Sequence, residues 1–325
     1  MGEYMEIYLM WITAFILTLI LTILFTVIFT KIKGNLFEDI RGGIPRGVGI
    51  APFLAMLVFF PAPYNILIAI IGITAFIDDV IGRVRLNSYI ELGQFFRGLG
   101  LLIVMIMGYI IMGPVAILVA LMIQILNIAD MQPGTACITV ILMSVLSFAI
   151  LSILHSPAFY IPVLLIAITL GYISLDYSGY IMMGEIGNHS FGVALGICLA
   201  LVSAALTKVI VPAKIFYPVE FIVMLLLFLI TALIIAYLRR ETLEYYLSTY
   251  LHIENPTFGD YVMDVLTGGG LGDLCRKLFL GDSQIKVDNS FLKSLGARRL
   301  LYNPVKIKKT SNNQSLSKTG LSQED

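Results

Sequence analysis

A succession of long apolar runs occupies the first 240 residues of this chain. The runs are continuously apolar and do not alternate with a period of two, so they predict membrane helices and not the strands of a barrel. The predicted fold class is therefore all-α, a polytopic membrane helical bundle of about nine to ten transmembrane helices, because a helix needs about 20 apolar residues to cross a bilayer. The approximate spans are residues 6–30, 47–61, 64–78, 98–112, 114–129, 137–153, 158–174, 191–207 and 217–238.

The composition agrees with a membrane protein and argues against other classes. Hydrophobic residues make up 58% of the chain and charged residues 13%, with a mean hydropathy of +0.93, whereas a soluble domain carries about 25% charged residues. The formal net charge is zero, which argues against a nucleic-acid partner. Cys137, Cys198 and Cys275 lie far apart in the sequence, so neither a disulfide framework nor a zinc site is predicted.

The basic residues of the loops predict how the chain is oriented. With an outside N-terminus, only Lys208 and Lys214 fall in the outside loops. Because cytosolic loops carry an excess of Lys and Arg, we expect the N-terminus outside and the long C-terminal tail in the cytosol. The basic residues that this orientation puts in the cytosol are Lys31, Lys33, Arg41, Arg46, Arg83, Arg85 and Arg97, followed by Arg239 and Arg240.

The composition changes after the last apolar run, which predicts three regions. Residues 1–240 form the transmembrane domain. Residues 241–305 mix aromatic, charged and glycine-rich stretches and are predicted to be a cytosolic or membrane-surface tail with amphipathic segments. Residues 306–325 are rich in Ser, Asn, Lys and Gln, a composition typical of a disordered C-terminus.

Two adjacent acidic residues, Asp78 and Asp79, end an apolar run that should lie in the bilayer. Ionisable groups at such a depth are costly and usually functional, and neighbouring carboxylates repel each other unless a cation or a proton relieves them. Mg²⁺ bound with phosphates would do so, since it takes one or two carboxylates plus substrate oxygens. The alternative is a helix that simply ends in acidic residues.

Two further polar groups follow on the predicted cytosolic side. Asn127 and Asp130 are three residues apart, a spacing that puts both on one helix face, although both types are also good capping residues. Glu185 lies between Gly184 and Gly187, and glycines let backbone approach a phosphate closely. Neither the Asn127–Asp130 pair nor Glu185 is specific by itself, but together with Asp78-Asp79 they follow one another along the chain in a recognisable order.

In that order, the loops resemble those of the polyprenyl-phosphate N-acetylhexosamine-1-phosphate transferases. This superfamily includes the phospho-MurNAc-pentapeptide translocase of peptidoglycan synthesis and the GlcNAc-1-phosphate transferases. Its loops carry patterns like P-R-x-G-G, D-D-x-x-G, N-x-x-D-x-x-P-G and G-D-x-G. The corresponding segments here are Pro45-Arg46-Gly47-Val48-Gly49, Asp78-Asp79-Val80-Ile81-Gly82, Asn127-Ile128-Ala129-Asp130-Met131-Gln132-Pro133-Gly134 and Gly184-Glu185-Ile186-Gly187, so the resemblance covers roughly residues 40 to 200 in the right order.

The resemblance implies an activity and its partners. Family members move a sugar-1-phosphate from a UDP-sugar to a polyprenyl phosphate in the plasma membrane, with Mg²⁺, and release UMP as the first step of a lipid-linked glycan. The functional loops would be cytosolic, and the sugar an N-acetylhexosamine. Homodimers are common in the family, which makes a homodimer compatible with the resemblance.

The resemblance also implies roles for individual residues. Asp78 and Asp79 would face the acceptor phosphate, one of them as its base. Asp130, the third catalytic candidate, would hold the metal or the uridine diphosphate part with Asn127, and Glu185 takes the place of a family Asp that ligates Mg²⁺. The remaining candidates for substrate contacts are Arg46, Arg97 and Gly187, together with His189, which is not part of the family pattern but lies beside the site in the sequence.

Several departures from the family pattern leave alternatives open. Glu185 replaces the usual Asp and moves the carboxylate by about 1.5 Å, whereas Mg²⁺ demands near-ideal octahedral geometry. Asn188 and His189 stand where small residues or an Ala-Asn pair are usual, and a lone loop His is often incidental. Met131-Gln132 stands where arginine-containing versions are familiar. The His-rich loop of the peptidoglycan enzyme is missing, which argues against the pentapeptide-bearing sugar.

Three functions therefore compete. The first is an active enzyme of a divergent branch. The second is a non-catalytic paralogue that keeps the fold and binds lipid phosphate or a partner enzyme. A transporter is less consistent with the sequence, because it would place charged or broken spans near the midplane, and here the clearest acidic residues lie at one face.

Overall fold

The computed structural model describes residues 2–39, 43–82, 84, 92–280, 285 and 287–301. About 81% of the chain is helical, which confirms the prediction of an all-α protein. The helices group into two compact units, Met1–Ile235 and Ala236–Asp325. Short 3₁₀ turns precede or join several helices, and one two-stranded antiparallel sheet pairs β1 (Phe37–Glu38) with β2 (Ile44–Pro45).

The first unit is a bundle of long apolar helices. Among the described residues, seven segments are long and apolar enough to cross a membrane, which makes the chain a multi-pass membrane protein. The helices are α1 (Gly2–Ile32), α2 (Ile50–Phe59), α3 (Tyr64–Ile81), α4 (Leu92–Met112), α5 (Ala116–Ala129), α6 (Thr135–Ile153), α7 (Tyr160–Tyr177), α8 (Gly184–Ile210) and α9 (Phe216–Leu238), the last of which continues into the second unit.

Two parts of the predicted span pattern differ from these segments. The span at 47–61 contains only α2, which is about 15 Å long and so shorter than a hydrocarbon core of about 30 Å. The spans at 98–112 and 114–129 fall within one apolar segment, Leu92–Ala129, which is divided into α4 and α5 at Gly113, where φ is +70°. The number of crossings therefore stays a prediction.

The central helix is α8, because it packs on α3, α5 and α6 and most of its first half is buried. Its contact with α5 runs through two glycines four residues apart, where a Cβ on Gly192 would lie 2.8 Å from Ile123 Cα and a Cβ on Gly196 would lie 2.8 Å from Val119 Cα. Small residues at this spacing let membrane helices pack backbone to backbone. The register is antiparallel, so the end of α5 lies beside the beginning of α8.

This close packing predicts opposite effects for the same substitution at two helical glycines. Gly192→Ala should destabilise the first unit by about 1–3 kcal/mol, because the new methyl group meets the backbone of α5. Gly98→Ala is the matched control, since a Cβ at Gly98 meets nothing within 4 Å, and it should stabilise α4 by up to about 1 kcal/mol. Unfolding of the purified variants in mixed micelles measures both, and equal effects would contradict the packing.

The second unit contains shorter helices held by ion pairs. Arg298 and Arg299 bind Asp260 and Asp264, which belong to the helix Phe258–Thr267 (α11), and Arg299 is 1% exposed. A capping box of Thr257 and Asp260 begins α11. The helices are α10 (Arg240–Thr249), α11 (Phe258–Thr267), α12 (Gly270–Leu280), α13 (Ser290–Ser294) and α14 (Ala297–Leu300). The predicted disordered region, 306–325, lies outside the described residues.

Candidate active site

Two loops that are distant in sequence meet along their backbones at one end of the first unit. Met182 N–H donates to Pro45 O at 2.9 Å, and Val48 N–H donates back to Met182 O at 3.2 Å. Gly49 N–H donates to Met183 O at 3.0 Å. The loop before α2 therefore lies directly beside the loop that begins α8.

Asp79 joins α3 to the beginning of α8. Its buried carboxylate accepts hydrogen bonds from Glu185 N–H at 3.0 Å and Ile186 N–H at 2.9 Å. A negative charge is stabilised there by the unsatisfied amides and the dipole of the helix. Gly184 makes this approach possible, because a Cβ there would lie 2.8 Å from Asp79 Oδ2. Arg46 Nε lies 3.6 Å from Asp79 Oδ1, so Asp79 also has a cation beside it.

Arg97 bridges the other two acidic residues of this region. Its Nε lies 2.9 Å from Asp78 Oδ2 and its Nη1 lies 2.6 Å from Glu185 Oε2. Gly93, one turn earlier on α4, packs so closely on Asp78 that a Cβ would overlap the carboxylate. We call Arg46, Asp78, Asp79, Arg97 and Glu185 the arginine half of the site.

Asp130 lies at the end of α5, in a second group of polar side chains. The Asn188 side-chain amide donates to Asp130 Oδ2 at 2.9 Å and to Asn127 Oδ1 at 3.1 Å. The pKa of Asp130 is raised well above its usual range, first because the carboxylate is buried and second because the negative charge of Asp176 lies nearby. The hydrogen bond from Asn188 partly offsets this increase. The buried Asn188 Oδ1 has no hydrogen-bond partner among the described residues.

Asp176 completes this group from the end of α7. The buried Asp176 Oδ2 accepts hydrogen bonds from Gly134 N–H at 3.2 Å and from the Cys137 thiol at 3.4 Å. Both donors lie at the beginning of α6. We call Asn127, Asp130, Asp176 and Asn188 the aspartate half of the site. Among the described residues, no Lys, Arg or His forms an ion pair with either aspartate.

Gly187 and His189 are buried residues near the beginning of α8. A Cβ on Gly187 would lie 3.0 Å from Gly49 Cα, so this glycine allows close backbone packing between the two loops. His189 Nδ1 lies 2.8 Å from the Glu185 carbonyl oxygen and 3.6 Å from Glu185 Oε2, and the residue is 4% exposed. Contact of either residue with a substrate stays a prediction.

The two halves differ in how well they suit a divalent cation. Within the part of the chain that the structure describes, no group of three or more His, Cys, Asp or Glu side chains is placed to hold a metal. Mg²⁺ needs only one or two carboxylates when substrate phosphates supply further oxygens. Asp130 fits that donor set, because it has a second carboxylate and the unpartnered Asn188 Oδ1 nearby. Glu185 does not, because Arg97 already neutralises it.

The structure thus brings the residues predicted from the four loops to one end of the bundle, together with two that the sequence analysis missed. Asp176 ends an apolar run just as Asp78 and Asp79 do, and that signal could have identified it. Asn188 was noted only as a departure from the family pattern. No signal in the sequence alone pairs it with Asn127, because that contact depends on the packing register between α5 and α8.

No protein-family model matches the chain, and no curated protein matches it. Its function is therefore argued from the motifs and from the geometry of the two halves of the site.

Proposed function

We propose that the chain is a membrane transferase that moves a sugar-1-phosphate, of the N-acetylhexosamine type, from a UDP-sugar to polyprenyl phosphate. One observation carries the proposal: four loops that resemble the transferase motifs, in the same order, converge at one end of the bundle. Asp79 holds the beginning of α8, and Asn188 of α8 holds Asp130 of α5. Convergence of dispersed polar residues is expected of a site and not of capping residues that end separate helices.

The charges of the site suit two anionic substrates. In the proposed reaction an oxygen of polyprenyl phosphate attacks the phosphorus that carries the sugar, and the bond from that phosphorus to the UMP oxygen breaks. The products are the polyprenyl diphosphate sugar and UMP. Arg46 and Arg97 would contact phosphate oxygens, since guanidinium groups bind them well. Asp78, which is 14% exposed at its side chain, is the candidate base for the acceptor.

The aspartate half is the candidate Mg²⁺ site. Asp130 would hold the ion, Asp176 and Asn188 Oδ1 would be further oxygen ligands, and Asn127 Oδ1 accepts a hydrogen bond from the Asn188 amide. A bound Mg²⁺ would neutralise the charge that develops on the phosphate oxygens as UMP departs. Glu185 is assigned a different role from its counterpart in the family: it positions Arg97, because the two are already paired at 2.6 Å.

The membrane arrangement is part of the same proposal. We infer about nine to ten crossings, an outside N-terminus and a site facing the cytosol from the plasma membrane, where UDP-sugars are available. Two facts support this arrangement. The helices α3, α5 and α7 end at the site while α8 begins there, as alternating crossings require. Arg46 in the loop before α2 and Arg97 near the beginning of α4 also lie at this end, in line with the excess of basic residues on the cytosolic side.

A non-catalytic paralogue is the second candidate, and Arg97 favours it. A guanidinium fixed between Asp78 and Glu185 pairs with both carboxylates and offsets one of their two negative charges without any external cation. A chain that had lost catalysis could keep such a pair for stability and bind a lipid phosphate through Arg46.

UMP release distinguishes the two candidates. Purified protein in detergent receives undecaprenyl phosphate, Mg²⁺ and each of a panel of UDP-sugars. The transferase should release UMP with one sugar, and Asp130→Asn should reduce the rate at least about 100-fold, because one charge of the metal site is lost. Glu241→Gln, a change of an 85%-exposed side chain in the second unit, should leave the rate unchanged. Folded protein that releases no UMP with any sugar, in an assay where a known transferase of the type it resembles is active, would support the paralogue.

A further inference from the structure

A cavity of about 540 Å³ lies in the first unit at the other end of α8. Its walls come from α3, α4, α8, α9 and the turn that joins α4 to α5. Glu185 of the active site and Lys208 of the cavity are roughly 35 Å apart along α8, at 1.5 Å per residue. The cavity is therefore separate from the active site, and its volume is within the range of ligand pockets.

The cavity contains a buried carboxylate that lacks a donor. Glu220 of α9 is 4% exposed, and its Oε2 has no hydrogen-bond partner among the described residues. It lies within an apolar segment, Ala213–Leu238. A buried acceptor without a donor is costly, and an ionisable residue in a membrane segment is usually functional. A ligand that supplies N–H donors would satisfy this oxygen.

A positive charge lines the same cavity from a different helix, α8. Lys208 lines the cavity near the end of α8, and no ion pair joins it to Glu220 within the described part of the chain. A lysine and a carboxylate that line one cavity without a direct ion pair match a ligand that carries a cation and an anion. The ligand would bridge the gap between them.

Aromatic residues complete the cavity. Tyr64, Tyr109 and Tyr217 line it, and Tyr217 packs on Gly113, whose Cβ would lie 3.0 Å from the ring. Tyrosines and lysines are typical of the level of lipid headgroups, and aromatic faces attract ammonium groups. The surroundings therefore favour a zwitterion at the membrane surface.

We infer that this cavity binds the phosphoethanolamine headgroup of a phospholipid, with the ammonium on Glu220 and the phosphate on Lys208. A primary ammonium has three N–H donors, whereas the quaternary ammonium of phosphocholine has none to offer Glu220 Oε2. The inference is independent of the proposed transferase activity.

Native mass spectrometry of the full chain in detergent tests this inference, with phosphatidylethanolamine, phosphatidylcholine and phosphatidylglycerol as probes. The natural sequence should bind phosphatidylethanolamine at least about tenfold more tightly than phosphatidylcholine, and Glu220→Gln should remove that preference. Lys208→Gln should weaken the binding of both lipids, because both carry a phosphate.

Matched controls are Lys214→Gln and Glu6→Gln, which change exposed residues outside the cavity and should leave binding as it is. Size-exclusion chromatography and thermal unfolding check that each variant is folded. A preference for phosphatidylethanolamine that survives in folded Glu220→Gln would overturn the inference. Displacement of the lipid by stoichiometric soluble phosphoethanolamine would overturn the assignment to a lipid.

Discussion

Arg97→Met should lower the stability of the first unit by about 3 kcal/mol, because it leaves the partly buried Asp78 and Glu185 carboxylates without their shared cation. Methionine keeps the apolar stem of the side chain, so the loss reports mainly the charge. The stability of Arg97→Lys should lie between that of the natural sequence and that of Arg97→Met, since a lysine offers one charged nitrogen where the guanidinium reaches two carboxylates. The free energy of unfolding in mixed micelles measures these differences.

Two further variants make this result specific. Arg240→Met removes a 51%-exposed arginine whose partner, Glu241, is 85% exposed, and such surface pairs contribute about 0–1 kcal/mol. The double variant Arg97→Met, Glu185→Gln should recover part of the loss, because it removes one of the two unpaired charges. An Arg97→Met protein as stable as the natural one would mean that the bridge does not hold the site together.

The bridge also separates the two candidate functions. In a transferase, Arg97 must exchange part of its contact with Asp78 or Glu185 for a phosphate oxygen, so UDP-sugar with Mg²⁺ should stabilise Arg97→Met less than the natural sequence. In a paralogue, UDP-sugar would stabilise neither protein. Stabilisation by UDP-sugar therefore shows whether Arg97 binds substrate or only stabilises the fold.

The fold was largely predictable because apolar runs in a membrane protein report helices directly. All nine predicted spans fall on helices in the structure, although the number that crosses the membrane does not follow from this. The sequence did not reveal that α2 is only ten residues long, because the apolar run around it includes turn residues that hydropathy does not distinguish from helix. Pro61 and Pro63 mark where it must end.

The site was predictable as a set of loops but not as a set of partners. Asp78, Asp79 and Asp130 stand out in the sequence as candidates because they are acidic residues beside apolar runs, and Glu185 stands out because glycines flank it. Their pairing depends on tertiary packing, since Arg97 meets Glu185 only where α4 and α8 approach the same point. The Asn188 hydrogen bond to Asp130 likewise depends on the register that Gly192 and Gly196 impose on α5 and α8.

Asp79→Ala should lower the free energy of unfolding by about 2 kcal/mol and loosen the beginning of α8. The carboxylate accepts two amide hydrogen bonds, from Glu185 and Ile186, and losing a cap costs about 0.5–2 kcal/mol. The change also leaves Arg46 with only Glu38 as an acidic partner among the ion pairs of the described residues. Asp79→Asn keeps one acceptor oxygen and should cost less than half as much.

Hydrogen exchange locates this effect within the chain. In Asp79→Ala the amides of Glu185 and Ile186 should exchange at least about tenfold faster, while those of α9, which Asp79 does not cap, should keep their rates. Because the first turn of α8 also carries Asn188, loosening that turn should weaken the hydrogen bond from Asn188 to Asp130. The rate of UMP release should then fall together with the protection of these amides from exchange. Fast exchange with undiminished UMP release would instead assign Asp79 to the fold alone, and would leave Asp78 and Asp130 as the acidic residues that act on the substrates.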